Sequence, residues 1–101
     1  MTPVYRIVYA RPTEQHFAHL SRTQQRALLD AVDQQLTYQP TVQTKNRKRM
    51  RPNPLATWEL RVSKLRVYYD VLADPEPTVL VVAVGIKDRN TVRIGGEVVT
   101  L

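Results

Sequence analysis

The sequence contains no cysteine, so neither a disulfide framework nor a thiolate zinc site can hold it together, and thiol usage says nothing of its redox compartment. It has no apolar run long enough to cross a bilayer, and its start, MTPVYRIVYARP, lacks the charged-then-apolar layout of a secretory leader. No membrane partner and a cytoplasmic location are therefore expected. Histidine is scarce: His16 and His19 stand three positions apart on an expected helix, where a surface face is the plain explanation. With Glu14 as the one nearby carboxylate they make no convincing metal site, and neither a metal nor another cofactor is expected. Acid is scarce too, at 9 residues against 15 Lys and Arg, and between Lys45 and Arg66 the single acid is Glu59. There is no internal repeat and no low-complexity tract.

A chain of 101 residues is expected to form one domain over 1–101, with a modest core but no cleft between domains, so function should sit on a surface groove. A formal charge of +6 and a pI near 10.1 point to a polyanionic partner.

The most informative stretch is Trp58–Asp70, WELRVSKLRVYYD. With Ser63 and Lys64 as a tight turn, Val62 pairs with Leu65, Arg61 with Arg66, Glu59 with Tyr68 and Trp58 with Tyr69. Alternation puts Trp58, Leu60, Val62, Leu65, Val67 and Tyr69 on a core face and Glu59, Arg61, Arg66 and Tyr68 on the other. Two guanidiniums set opposite each other repel unless an anion lies between them, and a phosphate fits best. Removing either should then leave the fold as stable as before. The run Lys45, Arg47, Lys48, Arg49 and Arg51 leads directly into this face and extends it into a continuous positive groove.

Around the hairpin, Val4–Tyr9 alternates as a first strand that Pro12 ends, and Thr13 is placed to cap a short helix carrying Phe17 and Leu20 inward. Ser21 and Gln24 form a capping box for a longer helix with Leu28, Val32 and Leu36 on one stripe, stopping before Pro40. Residues 41–56 read as an irregular basic loop broken by Pro52 and Pro54. Asp74–Pro77 is a turn, and Thr78–Val84 an apolar central strand that Gly85 ends, placing Lys87 and Arg89 just beyond it near the polar face of the hairpin. Residues 91–101, hinged at Gly95 and Gly96, form a last short strand or an arm. The expected fold is α+β, in the order β-α-α-β-β-β, with two N-terminal helices on one face of a small, mostly antiparallel sheet and the basic groove on the other.

The segments ELRV, LRVYYDV and AVGIKDR, in this order and at this chain length, resemble the RelE/ParE family of toxins from bacterial toxin–antitoxin systems over nearly the whole chain. In the RelE-like branch the resemblance implies a ribosome-dependent endoribonuclease that cleaves mRNA in the decoding site, inhibits translation and is silenced by a small acidic antitoxin. In the ParE-like branch it implies a DNA gyrase inhibitor that is not a nuclease. Arg61 and Arg66 fall where RelE-like toxins keep basic catalytic residues, and Lys87 near the basic residue that follows their last central strand. Glu59 stands where some members have lysine, Asn53 near a catalytic carboxylate of another branch, and Arg93 near a tyrosine or histidine common at the C-terminus.

Metal-independent RNA cleavage needs a base for the 2′-hydroxyl, cations for the phosphorane and an acid for the leaving oxygen. The expected catalytic set is Arg61, Arg66, Lys87 and Glu59, with Lys87 or Glu59 moving the proton. Lys45, Arg47, Lys48, Arg49 and Arg51 are expected to grip the ribosomal or messenger backbone, together with Lys64, Arg89 and Arg93, and Tyr68 to bond a phosphate or stack on a base. A non-catalytic basic module that mainly binds its antitoxin is the remaining alternative.

Overall fold

The structure, a computed structural model, describes residues 3–100. It is an α+β fold of two helices and one seven-stranded sheet. The strands are β1 (Arg6–Tyr9), β2 (Arg47–Arg49), β3 (Trp58–Val62), β4 (Leu65–Leu72), β5 (Thr78–Asp88), β6 (Thr91–Ile94) and β7 (Glu97–Val99). They run in the order β2-β3-β4-β5-β6-β7, every pair antiparallel, while β1 lies parallel to the first part of β5. Among the described residues no helix is long and apolar enough to cross a membrane.

The helices α1 (Pro12–Ala18) and α2 (Arg22–Leu36) precede all strands but β1. The Ser21 hydroxyl accepts from Gln24 N–H at 3.1 Å and Gln24 Oε1 accepts from Ser21 N–H at 2.9 Å, completing the expected capping box. One position later Gln25 Nε2 donates to Phe17 O (2.9 Å) and Leu20 O (3.1 Å), so carbonyls at and just after the end of α1 are bonded from α2. Thr13 does not cap α1: Pro12 already occupies the first turn, and the Thr13 hydroxyl donates to Ala10 O from inside the helix. Leu28, Val32 and Leu36 join Trp58, Leu60, Val67, Tyr69, Val79, Val81 and Val84 in the main core.

The register of β3 and β4 is the expected one residue for residue, Trp58↔Tyr69 through Val62↔Leu65, and Ser63 opens the turn at φ +56°. Three further expectations fail, each at a strand that pairs with the next one in sequence. The basic loop contains β2, which lies along the outer edge of β3. Residues 91–99 form a hairpin, β6 and β7, turned by Gly95 and Gly96, both at positive φ as such a turn requires. Gly85 does not end β5, which runs on to Asp88. It is there because β6 comes close: a Cβ at Gly85 would collide with the Arg93 carbonyl and sit 2.9 Å from Ile94 Cγ1.

Leu60 is fully buried in the main core on a central position of β3. Leu60→Ala should therefore cost about 2–5 kcal/mol, seen as a lower midpoint in urea unfolding at unchanged slope.

Candidate nucleic-acid interface

Strand registers align the polar face in rows. Lys48, Glu59, Tyr68 and Ala83 stand side by side across β2, β3, β4 and β5. The next row is Arg61, Arg66, Gly85 and Ile94. Beyond it the Lys64 carbonyl accepts from Lys87 N–H at 2.7 Å, so these two lysines adjoin at the open end of the sheet. The pairing of Arg61 with Arg66 is as expected, but the two side chains do not form a clamp. Arg61 Nε meets Glu59 Oε1 at 2.8 Å along its own strand. Arg66 is 8 % exposed and turns back on the hairpin, donating from one guanidinium nitrogen to Ser63 O and Leu65 O, each at 2.8 Å.

Arg66 is buried because this side of the sheet has its own core. Tyr68, Ala83, Ala56 and Ile94 are buried together, with Met50, Leu55, Val82, Val92 and Val99 packed around them. The cover comes from the loop after β2 and from the terminal hairpin. Asn53 shapes the loop: its Nδ2 donates to Arg51 O (2.7 Å) and Ala56 O (3.0 Å), and its Oδ1 accepts from Leu55 and Ala56 N–H. That side chain is thereby committed to the backbone. Tyr68, expected to bond a phosphate or stack on a base, is fully buried, with its hydroxyl beside the Glu59 carboxylate but in no well-formed hydrogen bond among the described residues. Burial first, and then the Glu59 carboxylate, hold the Tyr68 hydroxyl well above the usual phenol range, so it is neutral at physiological pH.

The basic loop divides in the same way. Arg47 is 7 % exposed, and its guanidinium donates to Val42 O (2.9 Å), Gln35 O (2.9 Å) and Gln35 Oε1 (2.8 Å). It thus ties β2 to the C-terminal turn of α2, where a cation also suits the helix dipole. Arg49 lies 6.0 Å over the Trp58 ring. Lys45, Arg51, Lys64, Lys87 and Arg89 are exposed and Lys48 half-buried. Lys48, Arg51, Asn53, Glu59 and Arg61 line a groove of about 400 Å³ between the loop and β3. The positive surface therefore comprises Lys48, Arg51, Arg61, Lys64, Lys87 and Arg89, with Glu59 as its carboxylate.

Arg93 is not part of it. Its partner across the strands is Ile86, which packs against the main core, so it lies on the helix side of the sheet. There it shares a small cleft with His16 and His19. Those histidines are not a bare surface face: the His16 ring is half-buried and its Nδ1 accepts from Val84 N–H at 3.4 Å. Val84 lies where β1 has ended and β6 has not begun, a gap visible only once both pairings are known. Among the described residues no group of three or more His, Cys, Asp or Glu is placed to hold a metal. The chain matches no protein-family model and no curated protein.

Two outcomes follow. Arg47→Ala and Arg66→Ala should each lower stability by about 1–3 kcal/mol in urea unfolding, because each strands buried carbonyl oxygens, whereas Arg61→Ala should be near neutral. Burial, then the neighbouring His19, hold His16 below its ordinary value, so the stability it contributes is present above about pH 6.5 and is lost as pH falls. His16→Gln should flatten the fall in urea midpoint between about pH 7 and pH 5.

Proposed function

We propose that this chain is a RelE-like toxin that binds RNA over the Lys48–Arg61–Lys87 face and cleaves ribosome-bound mRNA without a metal, acting in the cytoplasm until an acidic antitoxin covers that face. The observation that carries the reading is the alignment of cations from β2, β3, β5 and two turns on one side of the sheet around a single carboxylate, Glu59. Such a surface binds phosphate backbones and needs an acidic cover to stay free of them. Glu59 is the base candidate closest to the cations, Arg61 stabilises the phosphorane, and Lys87 supplies charge or the proton for the leaving oxygen. Arg66 positions the turn rather than the phosphate.

The burial of Arg66 and Tyr68 favours a second reading, in which the same face inhibits gyrase in the ParE-like manner without cleaving anything. Primer extension on mRNA-programmed ribosomes and a supercoiling assay on gyrase separate the two. For the nuclease, Lys87→Ala should slow cleavage about 100-fold; inhibited supercoiling with intact mRNA would replace it by the second reading.

The groove itself is tested by Lys48→Ala, Arg51→Ala and Arg61→Ala combined. Affinity for single-stranded RNA should drop and the slope of log affinity against log salt should fall by about 2, as expected for three lost phosphate contacts. An unchanged slope would move the interface elsewhere.

A further inference from the structure

We propose that the cleft between α1 and the β6–β7 turn is a phosphate-binding site, separate from the basic face, in which His16 Nε2–H, His19 and the Arg93 guanidinium hold one phosphate group. The cleft has a volume of about 100 Å³ and is lined by His16, His19, Arg93, Gly95 and Gly96 with β5 as its floor. That is room for about three waters, and hence for one tetrahedral oxyanion.

The tautomer of His16 follows from its backbone contact. Since Nδ1 accepts from Val84 N–H, the neutral ring carries its proton on Nε2 and presents a fixed donor. Cδ2, which adjoins Nε2, is the atom nearest to a Cβ built on Gly95, at 3.1 Å. His19 brings Cε1 and Nδ1 to 2.8 and 2.9 Å of a Cβ built on Gly96. Both rings thus pack against the glycine turn, His16 through Cδ2 at Gly95 and His19 through its Cε1–Nδ1 edge at Gly96, and a side chain at either glycine would press into the ring beside it. Positive φ at Gly95 (+60°) and Gly96 (+81°) further bars most other residues.

The charge of the cleft selects the ligand. Arg93 is exposed and makes no ion pair among the described residues, and no carboxylate lines the cleft. A guanidinium beside two imidazoles repels a metal cation that the histidines alone could attract. Donors reaching in from a helix and from a strand on opposite sides of the turn suit a tetrahedral oxyanion better than a planar carboxylate. The phosphate could be a terminal monoester or a backbone diester, and the same recognition serves both.

The test is a titration of the 15N-labelled chain at neutral pH, with ionic strength held constant by chloride. The ring nitrogens should report His16 as the Nε2–H tautomer. Inorganic phosphate should move the His16 and His19 ring signals saturably, and Arg93→Gln should weaken that binding at least about tenfold. The Arg61→Ala variant should bind phosphate in the cleft as the parent does, which keeps this result independent of the RNA face. Hexauridylate with and without a 5′-phosphate separates the sources: a response to the phosphorylated form alone assigns a terminal monoester, and an equal response to both assigns the backbone. The proposal is overturned if no probe moves the histidine signals saturably, if Arg93→Gln or His19→Asn binds phosphate as tightly as the parent, or if His16 carries its proton on Nδ1.

Discussion

The eleven residues of β5 must satisfy hydrogen bonds along both edges and cover apolar side chains on both faces, and the position of nearly every other element answers one of these demands. On one edge β4 pairs from Thr78 to Ile86; on the other, β1 serves the first part and β6 the last. The break between them leaves Val84 N–H to His16, since a buried donor without a partner costs about 1–3 kcal/mol. One face takes the two helices. The other carries Val82 and Ala83, and the loop after β2 and the terminal hairpin close over it. A strand so fully engaged leaves little freedom to the cations on its neighbours: those under the second cover become structural, and those beyond its rim stay free.

That division explains what could be read from the residues alone. The β3–β4 register was legible because a period of two and a two-residue turn admit a single pairing that keeps Leu60 and Val67 inside. The capping box of α2 was legible because its two hydrogen bonds lie within four residues. What covers the far side of the sheet was not, because alternation separates two faces without saying whether the second meets water or another layer. The signal was present in Met50, Leu55 and Ala56, apolar residues inside a basic loop, and in Val92, Ile94 and Val99 of the tail. Each becomes meaningful only once the loop and tail are folded onto Tyr68. The cleft that joins His16 with Arg93 was hidden for the same reason, since a helix and a strand more than seventy positions apart form it.

The arginines show why a count of positive charges overstates a binding surface. Arg47 and Arg66 spend their guanidiniums on backbone carbonyl oxygens at a helix end and a hairpin turn, Arg47 through two of its nitrogens and Arg66 through one that serves two carbonyls. Arg49 lies against an indole. The exposed positions hold both kinds of cation, Arg51, Arg61 and Arg89 beside Lys64 and Lys87. Within one run of basic residues, the contacts each side chain makes thus distinguish the joints of the scaffold from the surface it presents.

The parallel pairing of β1 with β5 has a consequence for the order in which the molecule is made. Arg6 finds its partner in Thr78 and Tyr9 in Val81, so β1 waits for a strand made some seventy residues after it, and a long loop must close between them. Both helices are made long before that closure, and the β3–β4 hairpin just before it. A nascent chain therefore displays its basic loop while the sheet that aligns those charges is still incomplete, and the ordered face exists only once β5 is in place between β4 and β6.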